Sequence, residues 1–282
     1  MQQGTASSTA AGAAMQRVAH LVIDGEPKIL IDDFAARFLD DRQRARVASH
    51  DEVLQALHVR ASRAHILGRS AFTENELLRA VAEGCRQYVL LGAGYDSSPA
   101  RLAHDLAGVA VFEVDHPDTQ AAKRAALRPG EWPANVAFVA VDFEHDVLQA
   151  RLTQAGWDAG APTFWSWLGV AMYLTDDAVM NTLGFVSSGA AGTTIVMNFT
   201  IHDDEVTADD LALRRVGAQG VARQGEPWIN FYRPHELVER VRELPYCEVA
   251  SVPPDVFRTR YFDNRDDGLT WSSLTGTLVA RV

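Results

Sequence analysis

Gly92, Gly94 and Asp115 have the spacing expected of a binding site for a nucleoside-containing cofactor. An apolar run from Tyr88 ends at the GAG sequence of residues 92–94, and a second apolar run ends at Asp115, about 20 residues further on. Glycines at the end of a strand let the backbone approach a ligand closely, because no Cβ intervenes. An acid at the end of the next strand can accept hydrogen bonds from ribose hydroxyls. The segment therefore predicts a cofactor that contains a ribose.

The residues after the two glycines discriminate between two classes of cofactor. A nicotinamide or flavin dinucleotide usually requires a third glycine, and Ser97 occupies that position. Asp96 would also repel a pyrophosphate bound at the same turn. S-adenosylmethionine has no phosphate, and its sulfonium and ammonium groups tolerate a neighbouring acid. Asp96 therefore favours S-adenosylmethionine, with an NAD(P)-dependent oxidoreductase as the alternative.

A second acid at a predicted strand end supports the same cofactor. The run VAFVAVDFE places Asp142 and Phe143 at the carboxyl end of the third predicted strand. Ligands of open parallel sheets bind at that edge. There the Asp142 carboxylate can accept a hydrogen bond from an adenine amino group, and the Phe143 backbone N–H can donate one to the ring.

Other classes of site find little support in the sequence. It contains neither a GxSxG nor an HExxH motif, and its nine histidines are scattered. Cys85 and Cys247 lie far apart, which favours two reduced thiols over a disulfide or a metal site. We therefore expect neither a hydrolase nor a metal enzyme.

Charge and hydropathy exclude several partners. The formal net charge of −11 would repel a phosphate backbone, so nucleic acid is not an expected partner. No apolar run approaches the roughly 18 residues that a membrane helix needs. The N-terminal residues lack the basic and apolar segments of a signal peptide. We expect a cytoplasmic protein without a membrane partner, and we make no prediction of its oligomeric state.

Apolar strands alternate with helices in the part of the chain that carries these residues. This alternation predicts an α/β fold with a doubly wound, mostly parallel sheet. The predicted strands cover residues 87–92, 109–115, 136–141, 163–169, 193–200, 247–252 and 274–282. The predicted intervening helices cover residues 99–106, 119–127, 147–155 and 176–187.

Residues 1–84 are predicted to form a helical N-terminal cap that covers an edge or the mouth of the sheet. Apolar residues recur at helical spacing from residue 15 to 84. Thr73 and Glu76 have the spacing of a capping box, and Gly84 is a candidate helix C-cap. Residues 85–282 are predicted to form the core, with a lid insertion near residues 201–233. No linker divides the chain, so we expect a single domain over residues 1–282.

Several segments resemble the leucine carboxyl methyltransferase family, in particular its bacterial branch of S-adenosylmethionine-dependent methyltransferases. The segments that match follow the family order along almost the whole chain and are QYVLLGAGYDSSPARL, VFEVDHPDTQAAKRAAL, FVAVDFE, WSWLGVAMYL, GEPW and YFDNRDDGL. The resemblance implies a class I methyltransferase (Rossmann-like) fold and S-adenosyl-L-methionine as cofactor. It also implies Gly92, Asp115, Asp142 and Phe143 as cofactor contacts.

The resemblance further implies that an arginine of the cap, in an RTR-like motif, holds the carboxylate of the cofactor's methionine tail. Arg69 is the candidate, and arginine suits a bidentate carboxylate contact. Two departures accompany it, since Ala71 replaces the second arginine and Leu168 replaces a glutamate after the fourth strand. Two consequences are open: cofactor binding is weaker, or Glu113 or a cap residue substitutes for the missing groups. The departures keep open a catalytically inactive cofactor-binding module as an alternative function.

The acceptor is expected beyond the carboxyl end of the fourth strand. Methyl transfer from a sulfonium requires an acceptor oxygen held about 3 Å from the methyl carbon. Trp167, Tyr173, Trp228 and Tyr232 are the predicted substrate contacts. An aromatic pocket favours a small hydrophobic acceptor, methylated on a carboxylate or a hydroxyl. A hydroxyl usually needs a base and a carboxylate does not, and we predict no particular catalytic base.

Overall fold

Seven strands form one sheet in a computed structural model that describes residues 7–142, 146–223 and 225–282. The strand order is β3-β2-β1-β4-β5-β7-β6, and β7 alone runs antiparallel to its neighbours. The strands are β1 (Gln87–Leu91), β2 (Ala110–Asp115), β3 (Val136–Ala140), β4 (Thr163–Trp167), β5 (Thr194–Thr200), β6 (Glu248–Ser251) and β7 (Thr275–Arg281). The predicted doubly wound, mostly parallel sheet is confirmed.

Helices cover both faces of this sheet. They are α1 (Ser8–Ile23), α2 (Asp41–Ala48), α3 (Glu52–Gln55), α4 (Leu57–Ala82), α5 (Ser98–Arg101), α6 (Pro117–Ala125), α7 (Leu148–Gln154), α8 (Asp176–Ser187), α9 (Ala208–Arg223), α10 (Pro234–Arg242) and α11 (Pro254–Phe257). Within the described residues, three 3-10 turns cover Ala35–Phe38, Ala171–Tyr173 and Asp203–Glu205, and a π-helical turn covers Arg258–Phe262.

The central strand β1 is buried on both faces, as the apolar sequence QYVLL predicts. Val89 and Leu91 point into one core cluster, which includes residues of α8 and α10. Tyr88 and Leu90 point into the other, which includes residues of α4 and α11. The alternation follows from the two-residue period of a strand.

The register of β1 brings several strand ends together. Leu91 lies opposite Val114 of β2 and Trp167 of β4. The segments that follow these strands therefore leave the sheet at one edge, which positions the site.

The helix before β1 is longer than its sequence suggests. α4 runs without interruption for 26 residues, and Thr73 is buried in its interior. The predicted capping box at Thr73 and Glu76 is therefore wrong, because a helix interior has no free N–H for a cap to satisfy. Gly84 follows the end of α4 with a φ of +105°, as expected of a C-cap glycine.

Two other predicted elements are shorter than expected. The helix predicted at residues 99–106 ends at Arg101 as α5. The strand predicted at residues 163–169 ends at Trp167, since Gly169 has a φ of +76° and cannot continue the extended backbone. The helix predicted at residues 176–187 matches α8.

Polar contacts at both ends of helix α1 fix it to α4 and to α6. Asp24, directly after α1, accepts hydrogen bonds from Arg63 Nε at 2.8 Å and Nη2 at 2.9 Å. The Ser7 side chain caps α1 by accepting from Ala10 N, and Ser7 N donates to Thr119 Oγ1 at 3.2 Å. α1 therefore has a defined position over the carboxyl edge of the sheet.

Among the described residues, no helix is both long and apolar enough to cross a membrane. The same residues contain no group of three or more acidic, histidine or cysteine side chains that could hold a metal ion.

Candidate functional site

A cavity of about 810 Å³ opens at the carboxyl ends of the parallel strands. Its floor consists of the segments that follow β1, β2, β3 and β4, and its walls come from α1, α4, α9 and the segment after α9. Eight of the eleven predicted site residues line it: Arg69, Gly92, Gly94, Asp96, Asp115, Asp142, Tyr173 and Trp228. Phe143 lies outside the described residues. Trp167 and Tyr232 do not line the cavity.

The turn after β1 requires glycine for two separate reasons. Gly92 has a φ of +67° and Gly94 a φ of +49°, which other residues rarely adopt. A Cβ on Gly92 would also lie 2.3 Å from Val170 Cγ2, closer than any real contact. The Gly92 and Ala93 N–H groups both donate to the Val114 carbonyl, at 2.9 and 3.0 Å. The turn is therefore folded tightly against the end of β2.

Asp115 fixes the same turn from the end of β2. Its Oδ2 accepts a hydrogen bond from Gly94 N at 2.5 Å, and its Oδ1 accepts one from His116 N at 2.6 Å. Burial raises the pKa of the Asp115 carboxyl, and these two hydrogen bonds oppose the rise. Each oxygen retains a second lone pair at the cavity wall, where it can accept from a ribose hydroxyl.

Asp96 and Asp142 add two further carboxyl groups to this side of the cavity. Asp96 Oδ1 accepts from Ser98 N at 2.7 Å at the start of α5. Asp142 N donates to Asp146 Oδ2 at 2.9 Å. These acids make the floor unsuited to a pyrophosphate and suited to a ligand that carries amino groups or a cation.

Arg69 presents a guanidinium to the cavity without a carboxylate partner. Its Nη1 lies 3.5 Å from Asn198 Oδ1, its buried Nε has no partner, and no ion pair forms with it in the described part of the chain. Burial lowers the pKa of Arg69 to about 10. A desolvated guanidinium of this kind can bind the carboxylate of a ligand in a bidentate manner.

The space for this guanidinium comes from Gly169, after β4. A Cβ on Gly169 would lie 2.7 Å from Arg69 Nη2. Leu168 also lines the cavity, at the position where the resemblance implies a glutamate. Among the described residues, Arg69 thus lines the cavity without an ion pair, although the charge of Asp96 acts on it from nearby.

Glu113 does not compensate for the missing acid at Leu168. Its carboxyl is fully buried on β2 and lies 2.7 Å from Lys123 Nζ of α6. Strand alternation explains this placement, because Glu113 points to the opposite face of β2 from its neighbours.

Helix α1 of the predicted cap contributes a cavity wall, although none of its residues was among the predicted site residues. Ala10, Ala13 and Arg17 line the cavity at helical spacing. Arg17 already has partners, since its Nε lies 2.6 Å from Asp32 Oδ2 and its Nη2 donates to the Tyr95 carbonyl at 2.5 Å. The only sequence signal was the spacing of small residues in this segment.

Tyr173 and Trp228 form a pair on the opposite wall. Trp228 Nε1 donates to the Tyr173 hydroxyl at 3.2 Å, and Ile229 N donates to the Met172 carbonyl at 2.8 Å. Burial raises the pKa of Tyr173, while hydrogen bonds from Trp228 and Thr9 oppose the rise. Tyr173 therefore keeps its proton at neutral pH.

Trp167 and Tyr232 belong to the core, which corrects their expected place in the pocket wall. Trp167 is buried in the cluster beneath α8 and α10, because its face of β4 points toward those helices. The Tyr232 hydroxyl accepts from Asn230 Nδ2 at 2.8 Å and donates to Asp176 Oδ1 at 3.0 Å. Both side chains are thus occupied away from the cavity.

The strand order, together with a cavity at the carboxyl edge, defines a class I methyltransferase fold. A protein from Thermobifida fusca, named as a methyltransferase, is similar in structure with a TM-score of 0.60 and 18% identity, over 94% of this chain and 93% of that chain. A DUF574 family protein from Streptomyces avermitilis has a TM-score of 0.59 and 17% identity, over 94% of this chain and 96% of that chain. These similarities establish the fold.

Sequence similarity identifies the family. Residues 10–187 match the family model described as leucine carboxyl methyltransferase. A protein of Mycobacterium avium (strain 104), named as an S-adenosyl-L-methionine-dependent methyltransferase, is 30% identical over 94% of this chain and 81% of its own length. A protein of Bacillus subtilis (strain 168) with a name of the same class is 28% identical over 72% of this chain and 68% of its own. The chain therefore belongs to the leucine carboxyl methyltransferase family.

Membership of this family makes the chain an S-adenosylmethionine-dependent methyltransferase. The family resemblance, the cofactor and the enzyme class predicted from the sequence are thereby confirmed.

Proposed function

We propose that this methyltransferase acts on an oxygen atom, either a carboxylate or a hydroxyl, of a small hydrophobic molecule. The observation that carries the cofactor end of this proposal is the guanidinium of Arg69, which faces the cavity without an acidic partner in the described residues. It would hold the carboxylate of the cofactor's methionine tail. Its neighbour Asp96, which also lines the cavity, would lie beside the amino group of the same tail.

The nucleoside part of the cofactor would occupy the far side of the cavity floor. Asp115 would accept hydrogen bonds from the ribose hydroxyls, and Asp142 one from the adenine amino group. Gly92 and Gly94 would let the ligand approach the backbone of the turn. The backbone contact predicted for Phe143 lies outside the described residues and stays a prediction.

When bound, S-adenosylmethionine supplies a methyl group already activated by a positively charged sulfur. The residues of this chain then have to position the acceptor, align its oxygen with the methyl group and exclude water. Tyr173 can donate a hydrogen bond to the acceptor, because it remains protonated. Helices α1 and α9 and the segment around Trp228 would shield the reacting atoms from solvent.

The acceptor side of the cavity supports a hydrophobic substrate. Next to Tyr173, in α9 and in the segment around Trp228, the apolar lining residues are Met172, Leu174, Val216, Val221 and Ile229. Gly217 and Gly220 of α9 also line it, and nothing lies within 4 Å of a Cβ built on Gly220. This part of the cavity thus has room and few polar groups, which suits an apolar molecule with one polar attachment point.

Calorimetric titration with S-adenosylhomocysteine tests the cofactor assignment. We expect Asp115→Ala to weaken binding roughly 10- to 150-fold, because a hydrogen bond to a charged group contributes about 1.5–3 kcal/mol. Asp105→Ala removes an exposed acid away from the cavity and is the matched control. Unchanged affinity in Asp115→Ala would refute the ribose assignment, and binding of NADH in place of S-adenosylhomocysteine would refute the cofactor geometry.

A methyl-transfer screen against hydrophobic alcohols, phenols and carboxylic acids tests the acceptor class. Gly220→Leu should abolish transfer to the larger acceptors while S-adenosylhomocysteine binds as before, since the added side chain would fill the acceptor side alone. Transfer to none of the acceptors, together with normal S-adenosylhomocysteine binding, would favour the inactive cofactor-binding module instead.

A further inference from the structure

Glu226 brings to the acceptor side of the cavity a carboxylate oxygen that has no partner among the described residues. It lies in the GEPW segment that follows α9, and it lines the cavity together with Tyr173 and Trp228. This oxygen, Oε2, is buried and makes no hydrogen bond, and Glu226 forms no ion pair with the side chains that the structure describes. The mechanism described above makes no use of this residue.

A buried carboxylate oxygen without a partner is costly, because the group has lost water and gained nothing in exchange. Such an oxygen at a cavity wall is satisfied when a ligand supplies a hydrogen-bond donor. It also disfavours a ligand that brings a second negative charge, since like charges at short range repel strongly in a poorly solvated cavity.

Arg69 and Glu226 line the same cavity as Tyr173. Both act on the Tyr173 hydroxyl, Arg69 lowering its pKa and Glu226 raising it, so a ligand group bound near Tyr173 lies within reach of both charges. The guanidinium of Arg69 is assigned above to the carboxylate of the cofactor. A carboxylate acceptor bound near Tyr173 would therefore face Glu226 while that guanidinium is already occupied.

We propose that Glu226 is the acceptor-recognition residue and that it selects a hydroxyl acceptor over a carboxylate acceptor. This inference rests on the methyltransferase function proposed above and narrows its substrate class. The Glu226 carboxylate accepts a hydrogen bond from the acceptor hydroxyl, while the protonated Tyr173 hydroxyl donates to the same oxygen.

The transfer step balances with Glu226 as the proton acceptor. The acceptor oxygen forms a bond to the methyl carbon as the carbon–sulfur bond breaks, and the electron pair of that bond stays on sulfur. The acceptor O–H bond breaks, and its proton moves to Glu226 Oε2. A neutral ether, a neutral sulfide and a protonated carboxyl group result.

Binding of two probes that share the same ring system tests the selection without measuring turnover. We would titrate the full chain, saturated with S-adenosylhomocysteine, with 2-naphthol and with 2-naphthoate at pH 7. The wild-type protein should bind 2-naphthol at least tenfold more tightly than 2-naphthoate. Glu226→Gln keeps the shape but removes the charge, so the ratio of the two affinities should fall at least tenfold. Glu205→Gln, an exposed position outside the cavity, should leave the ratio unchanged.

Turnover gives a second reading of the same variant. With an alcohol or phenol acceptor, Glu226→Gln should lower kcat more than it raises KM, because the proton acceptor is lost. S-adenosylhomocysteine should bind Glu226→Gln within threefold of wild type, which also verifies that the variant is folded.

The outcomes separate this inference from the proposed function. Failure of the wild-type protein to bind S-adenosylhomocysteine would overturn the proposed function itself. If S-adenosylhomocysteine binds normally, three results would overturn the role of Glu226 alone. They are a preference of the wild-type protein for 2-naphthoate, a preference that Glu226→Gln does not alter, and no binding of either probe.

Discussion

Arg69 and Arg17 line the same cavity, yet replacement of each by methionine should change stability in opposite directions. Burial lowers the pKa of Arg69 from its ordinary value to about 10, and a shift of that size corresponds to about 3 kcal/mol. Because the cavity admits some water, we expect Arg69→Met to raise the free energy of unfolding of the ligand-free protein by about 1–3 kcal/mol.

Arg17 differs because it has a buried acidic partner. Burial by itself would raise the pKa of Asp32, but Arg17 and Arg101 hold it below its ordinary value. Arg17→Met leaves Asp32 with hydrogen bonds from Ala35 N and Ser97 and, as its cationic partner in the described part of the chain, the more distant Arg101, whose Nε lies 3.5 Å away. Removal of one partner of a buried ion pair costs about 3–5 kcal/mol, so we expect Arg17→Met to lower the free energy of unfolding by about 3 kcal/mol.

Urea unfolding with and without S-adenosylhomocysteine measures both effects. At a ligand concentration 100 times Kd, the wild-type protein should gain about 2.7 kcal/mol. The affinity of Arg69→Met for S-adenosylhomocysteine should fall at least tenfold. At the same ligand concentration, the ligand should therefore stabilise this variant by at least about 1.4 kcal/mol less than it stabilises the wild-type protein. Two results together would refute the assignment of this guanidinium to the ligand. The ligand-free Arg69→Met protein would be less stable than wild type, and S-adenosylhomocysteine would stabilise it as much as it stabilises wild type.

Three further predictions concern the surroundings of the site. Lys123→Met should lower the free energy of unfolding by about 3–5 kcal/mol, because it leaves Glu113 buried without a counter-charge. The double variant with Glu113→Gln should recover most of this loss in the same denaturation assay. Burial lowers the pKa of His65 to about 3. As the pH decreases below about 6.5, the imidazole is therefore protonated in the unfolded chain before it is protonated in the folded protein. The free energy of unfolding should then decrease by about 1.4 kcal/mol for each pH unit. His65→Gln should remove that part of the slope between pH 6 and 4.5, and an equal slope in both proteins would contradict the burial argument. Gly169→Ala should weaken S-adenosylhomocysteine binding at least tenfold by displacing the nearby guanidinium, whereas Gly192→Ala, which also has a positive φ but no close neighbour, should not.

The cofactor floor was accessible from the sequence because its determinants are local. The GAG turn and Asp115 each follow an apolar run directly, and parallel pairing brings such strand ends to one edge. The family resemblance supplied Arg69, which periodicity alone would have left on an ordinary helix face.

The walls of the cavity were not accessible in this way, because they depend on packing between distant segments. Arg17 lies at the site because α1 packs beside α4 at the cavity, and Asp32, which follows α1, contacts both Arg17 and the distant Arg101. A two-residue period shows that alternate residues of β4 share a face, but it does not show which face borders the cavity, so Trp167 was expected on the wrong side. Thr73 has the spacing of a helix cap but lies inside a longer helix.

The hydrogen bond from Gly94 to Asp115 means that the glycine turn is preorganised. Because the protein itself holds the turn in place, a ligand that arrives there does not have to order the backbone, and little conformational entropy is lost on binding. Asp115 therefore serves both the architecture of the turn and its recognition of a ribose. In a variant that lacks the Asp115 carboxylate, the ligand has to order the turn as it binds. The entropy of ligand binding should therefore become more unfavourable than expected from the loss of two hydrogen bonds alone.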